Sequence, residues 1–356
     1  MPMPTLFDPL RLGDVTLPNR IVMAPLTRSR SGETRTPGPL VAEYYAQRAS
    51  AGLIISEATS VTPMGVGYAD TPGLWSEDQV AGWRLTTDAV HRAGGLIFAQ
   101  LWHVGRISDP VFLDGQAPVS ASAVAAKGNV SLLQPKRPYP VPRPLTLAEI
   151  ADVVEAYRRA AENAERAGFD GVELHGANGY LLDQFLQDGS NKRGDAYGGP
   201  IEHRARLMLE AVDAAVSVFG AQRVGLHLAP RGDSHDMGDS DLAATFSYVA
   251  RAARERRLAF LCAREYVADD SIGPQLKAAF GGVYIANEKF DPAGAQALLD
   301  AGEADAVAFG KLFISNPDLP ERVRAGAPLA PWTMETFYSP GPAGYTDYPS
   351  LALSPA

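Results

Sequence analysis

The feature that most constrains this chain is a rhythm. Short apolar runs at residues 21–26, 53–58, 96–101, 172–174, 224–229, 258–262, 283–286 and 306–309 read as buried strands. Helical patterns follow them at 40–51, 78–93, 147–167, 202–219, 241–257, 272–280, 292–301 and 316–325. Glycines 52, 94, 168, 220, 281 and 302 close most of these helices, which suits a left-handed cap before the next strand. Strands that are apolar throughout, rather than alternating, belong to a parallel sheet with a covered outer face. Eight strand–helix units close a (β/α)8 barrel, and 356 residues suffice for one with insertions. A doubly wound sheet is the competitor, but Gly65-Val66-Gly67 lacks the third glycine of a dinucleotide loop.

Around this frame, residues 5–19 suggest an N-terminal hairpin broken at Gly13-Asp14. A proline-rich stretch, 103–146, reads as a loop insertion after the third barrel strand, lying over the barrel mouth. The expected organisation is one barrel domain over 1–356. A net charge of −9 without a lysine/arginine block argues against nucleic acid or anionic membrane as partners. The N-terminus lacks a signal-peptide pattern, no apolar run reaches membrane-span length, and Cys262 is the single cysteine. A cytoplasmic protein, monomer or homodimer, is expected.

In such a barrel the chemistry lies at the C-terminal strand ends. The richest of these is the stretch 169–186, where His175, Asn178 and Tyr180 occupy a strand-to-helix turn. Two neutral hydrogen-bond donors and one proton donor suit a reaction in which an oxygen gains charge while a neighbouring carbon needs a proton. A strand cap and a packing tyrosine would account for the same residues. The strand ends show no carboxylate pair for glycoside chemistry and no Gly-x-Ser-x-Gly elbow. His103, His175 and His227 could converge, but no companion ligand stands at metal spacing, so no metal is expected.

Several motifs are familiar together: Ala24-Pro25-Leu26-Thr27-Arg28, Ile55-Ser56-Glu57-Ala58-Thr59, Gln100-Leu101-Trp102-His103-Val104-Gly105-Arg106 and His175-Gly-Ala-Asn178-Gly-Tyr180. They are followed in order by Asn191-Lys-Arg193-Gly-Asp195-Ala-Tyr197-Gly198-Gly199, Asn316-Pro317-Asp318-Leu319 and Gly344-Tyr345-Thr346-Asp347-Tyr348-Pro349. The chain resembles the old yellow enzyme family, in its bacterial N-ethylmaleimide reductase and xenobiotic reductase branch, nearly end to end. The resemblance implies an FMN-dependent (β/α)8 barrel that reduces activated alkenes with NADPH or NADH. It implies flavin-ring contacts at Pro25, Thr27, Ala58 and Gln100, and a phosphate cradle at Ala286, Asn287, Gly310 and Lys311. His175 and Asn178 match the pair that grips a carbonyl or nitro oxygen, and Tyr180 the donor that protonates the α-carbon. Tyr68, Trp102 and Tyr338 match aromatic positions lining the substrate slot.

Two positions depart from the family, which usually carries arginine where this chain has His227 and Lys311. A histidine only partly cationic at neutral pH would stabilise reduced flavin less, unless Arg231 compensates. Lysine meets phosphate as a point charge without a fork. Weaker flavin retention and a lower flavin potential are the expectation. The implied activity is an ene-reductase acting on α,β-unsaturated carbonyls, maleimides or nitroalkenes. A nitrate-ester or nitroaromatic reductase on the same site, a weakly active flavin-binding protein, and a flavin-free lyase using Lys311 are the alternatives.

Overall fold

The computed structural model describes residues 3–232 and 234–351. Eight parallel strands close on themselves: β3 (Ile21–Met23), β4 (Leu53–Ile55), β5 (Ile97–Trp102), β6 (Gly171–Gly176), β7 (Val224–Leu228), β8 (Phe260–Arg264), β9 (Val283–Asn287) and β10 (Ala306–Phe309). Each pairs with its neighbours in sequence, and β10 returns to β3 to complete a (β/α)8 barrel. Among the described residues no helix is long and apolar enough to cross a membrane.

The hairpin β1 (Leu10–Leu12) and β2 (Val15–Leu17) sits at the N-terminal end of the barrel. Leu12, Val15 and Leu17 join Val22, Leu53, Phe98 and Phe260 in one buried cluster that fills the interior from below. Two glycines make room there: a Cβ on Gly171 would come within 2.5 Å of the Phe98 ring, and one on Gly225 within 2.1 Å of the Phe260 ring. The outward residues of the same strands, such as Val172, Leu174, Leu226 and Leu228, pack beneath the helices. Apolar burial on both faces is why these strands carry no alternating pattern.

Several boundaries differ from the sequence reading. The first strand stops at Met23 rather than 26, because Pro25 has no N–H for the ladder. The sixth begins at Phe260, two residues later than expected, after Arg257 adopts a left-handed conformation at φ 57°. The helical stretch 202–219 is two pieces, Ile201–Arg204 and Arg206–Phe219. Gly52 is not a left-handed cap, since its helix ends at Ala46. It is glycine for close approach, as a Cβ there would lie 2.2 Å from the Asn19 carbonyl oxygen. The insertion 103–146 holds a 3-10 turn, Pro110–Phe112, the paired Val119–Ser120 and Arg143–Pro144, and a single antiparallel bridge between Asn129 and Pro138. Its Val104, Ile107, Ala126, Val130 and Tyr139 pack with Tyr68 and Trp102 beside the mouth.

Candidate active site

A cavity of about 490 Å³ opens at the C-terminal ends of the strands. Of the residues singled out in the sequence, Pro25, Thr27, His175, Asn178, His227, Asn287, Gly310, Lys311 and Tyr338 line it. Buried Tyr68 and Trp102 and partly buried Tyr180 form an aromatic wall next to His175: Trp102 lies 5.4 Å from Tyr68 and 4.9 Å from Tyr180, ring to ring, and Tyr180 stands edge-on to His175 at 5.0 Å. Ala58 is buried within that wall's cluster, and Ala286 lies behind Asn287 rather than on the cavity surface.

The turn after β6 fixes the three residues read as chemical. His175 is buried, and burial with His227 and Arg264 nearby holds its pKa well below the usual imidazole range, so the ring is neutral. The Ala177 N–H donates to its Nδ1 at 3.4 Å, which leaves the proton on Nε2. Asn178 takes a left-handed conformation at φ 60°, one that asparagine tolerates better than most side chains. Its Oδ1 accepts from Arg264 Nη1 at 2.8 Å, and its carbonyl accepts from His235 Nδ1 at 2.6 Å. The Tyr180 hydroxyl is 2.9 Å from that of Tyr68, and burial raises both pKa values, so both keep their protons.

Below the mouth three strands contribute a second polar layer. Gln100 turns its amide down, with Nε2 donating to Glu173 Oε1 at 2.7 Å. His227 Nδ1 lies 3.2 Å from the same carboxylate oxygen. Glu173, His227 and Cys262 place potential ligand atoms within 4.8 Å of one another, whereas His103 accepts from its own loop at Gly105 N. Burial pulls the His227 pKa down, and the Glu173 carboxylate pulls it up, with the net direction upward; the Cys262 thiol, itself raised by burial, carries no charge at neutral pH. The sequence reading of His227 as a weakly basic imidazole is adjusted in direction: the Glu173 carboxylate beside Nδ1 makes the ring hold a proton more tightly than a free imidazole does. Arg231 does not compensate at the mouth, because it is engaged with Glu265, Asp270 and the Tyr266 ring instead.

The cavity and its charges fit FMN. It is within the size range of ligand sites. His227 Nε2 is buried and has no hydrogen-bond partner among the described residues, as expected of a donor awaiting an acceptor. At the other end Lys289 and Lys311 line the wall beside Asn287 and Gly310, a cationic surface for a dianion. The wall also holds Arg264, which the sequence places at a strand end without assigning it a role, and Glu288, Lys289 and Trp332, which sequence reasoning missed. Arg264 forms an ion pair with Glu288, and Lys311 lies 4.5 Å above the Trp332 ring. Glu288 and Lys289 both have positive φ, 113° and 60°. The only signal for Arg264 and Glu288 was their place at, or one residue past, a strand end.

The model of the NADH:flavin oxidoreductase / NADH oxidase family matches residues 5–330. This chain belongs to the old yellow enzyme family. A morphinone reductase solved in complex with tetrahydroNAD superposes with a TM-score of 0.94 at 48% identity, covering 98% of both chains. The old yellow enzyme homologue of Zymomonas mobilis gives 0.95 at 45%, covering 97% of this chain and 99% of that one. 12-oxophytodienoate reductase 1 of Oryza sativa subsp. japonica is 42% identical over 97% of this chain and 93% of its own length. Like the rest of the old yellow enzyme family, this chain is an oxidoreductase whose cofactor is FMN and whose reductant is NADH or NADPH.

Proposed function

We propose that this oxidoreductase is an ene-reductase that reduces the C=C bond of α,β-unsaturated carbonyls, maleimides or nitroalkenes. The observation that carries the reading is the neutral His175 with its Nε2 proton free, on the same cavity wall as Asn178 and edge-on to Tyr180. His175 Nε2 and Asn178 Nδ2 would donate to the carbonyl or nitro oxygen and withdraw electrons from the alkene. FMN, when bound and in its reduced form, would supply the hydride for the β-carbon. Tyr180 would then give its proton to the α-carbon, with Tyr68, 2.9 Å away, as the next donor in line. The cofactor contacts proposed are Pro25, Thr27, Ala58, Gln100 and His227 along the ring, and Asn287, Gly310 and Lys311 at the phosphate, with Ala286 backing Asn287 from outside the cavity. Tyr68, Trp102 and Tyr338 would line the substrate slot. We place all of this in one barrel domain, with 103–146 as its cover, working in the cytoplasm.

Mixing the purified protein with NADPH or NADH without air is expected to bleach its yellow colour, and cyclohexenone to restore it. Colour that persists with both nucleotides would overturn the reading. Flavin retention remains below the family norm in this view, because an imidazole reaches less far than a guanidinium even when charged. His227→Arg with Lys311→Arg is expected to raise the fraction of flavin kept through dialysis; an unchanged fraction argues that neither position matters.

A further inference from the structure

Arg264 ends β8 on the cavity wall, and its contacts leave it little freedom. Nη1 donates to Asn178 Oδ1 at 2.8 Å and reaches Ser234 Oγ at 3.4 Å, while Nε is held by Glu288 Oε2. An arginine donates and never accepts, so the Asn178 amide is oriented: Oδ1 faces the guanidinium and Nδ2 points away from it. Glu288 holds its end of the pair from a backbone at φ 113°, a conformation that persists in a non-glycine residue only where its surroundings impose it. Nη2 has no hydrogen-bond partner among the described residues, and about a third of the side chain remains exposed to the cavity. Among the described residues Glu288 is the only acidic side chain lining that wall, and it is already paired.

We propose that Arg264 is both the positioning residue for Asn178 and a specificity residue, selecting activated alkenes that carry a carboxylate. This rests on the ene-reductase reading. A substrate oxygen on Asn178 Nδ2 lies one amide group away from the guanidinium. An alkene with a carbonyl at one end and a carboxylate at the other would bridge the two. The free edge of a planar guanidinium matches a carboxylate better than a point charge does. In the reaction the alkene gains a hydride and a proton, the nicotinamide is oxidised, and the carboxylate is unchanged.

The test compares monomethyl fumarate with dimethyl fumarate, which share an alkene and differ by one negative charge. Wild-type holoenzyme is expected to show the lower KM for the monoester. Arg264→Met should raise that KM by about 10- to 100-fold, the value of a charge-assisted hydrogen bond, and change the diester KM far less. Arg264→Gln, which keeps a polar side chain in place, should do the same, and Arg264→Lys should restore part of the preference. Equal KM values in the wild type, or an unchanged ratio in both the Met and Gln variants, would overturn the proposal. Calorimetric binding of monomethyl succinate, which cannot be reduced, separates this from the activity itself. If neither ester is consumed, the ene-reductase reading fails. Binding of monomethyl succinate that is lost in Arg264→Gln would still support the anion site, and binding that is unaffected would refute it.

Discussion

Replacing His175 and Asn178 together by alanine is expected to slow reduction of an activated alkene by about 10³-fold or more. Loss of a single preorganised donor at a developing oxyanion typically costs about 10²–10³ in kcat, and two donors on one oxygen do not add simply. The structure indicates why little would substitute for them. His175 is buried and neutral, with Nδ1 occupied by the Ala177 N–H, so only Nε2 can donate. Asn178 is held from behind by Arg264. A truncated pair leaves the alkene unpolarised, while Tyr180 still has its proton to give. The measurement is the rate at which an enone reoxidises the reduced protein, observed in single turnover. A rate preserved in the double variant would show that the oxygen is bound elsewhere. Because His175 does not gain a proton near pH 6.5, the wild-type rate should also show no imidazole limb in that region.

The second large effect concerns stability. Glu57 follows β4 and is fully buried; its Oε2 accepts from the Arg28 and Ser29 N–H groups at 3.0 and 3.3 Å, and its Oε1 has no partner among the described residues. Burial raises its pKa from 4.5 to about 7, against the lowering effect of those amides and of Arg28 and Arg30. A carboxyl whose folded pKa is raised favours the folded state while protonated. That contribution is present in full below pH 4.5 and is lost as the pH rises through 7. At about 1.4 kcal/mol per unit, the loss is on the order of 3 kcal/mol. Glu57→Gln removes the titration, and its amide NH2 can take the place of the unpartnered Oε1. The stability of wild type relative to this variant is expected to fall by about 3 kcal/mol between pH 4.5 and about pH 8 in urea titrations. A difference that stays constant with pH would place the Glu57 pKa near its unfolded value.

Glu57 also shows what the familiar motifs do. Arg28 is buried and donates to Tyr44 Oη, to the Phe337 carbonyl and to the Gly344 carbonyl, tying the first barrel loop to the C-terminal segment that carries Tyr338. Asn316 accepts from Ala330 N at 2.7 Å, and Arg193 donates to the Leu145 and Ala121 carbonyls. These motif residues are clamps that hold loops in place around the mouth. Their sequence signal is strong because each satisfies several buried backbone groups that few other side chains could reach.

Periodicity and strand-end position were enough to place the barrel, its hairpin and the wall of His175, Asn178, His227, Asn287 and Lys311. Apolar runs of strand length with helical patterns between them leave few ways to bury both faces of a sheet, and the eightfold count closes it. Protonation and orientation were decided by the tertiary structure. His227 holds a proton more tightly than a free imidazole because barrel closure sets it beside Glu173, 54 residues earlier. The Asn178 amide faces one way because Arg264 lies 86 residues further on. The Gln100 amide nitrogen is taken up by Glu173, and Tyr180 shares a hydrogen bond with Tyr68. A side chain's charge and hydrogen bonds depend on the neighbours that replace water around it, and here those neighbours come from distant strands.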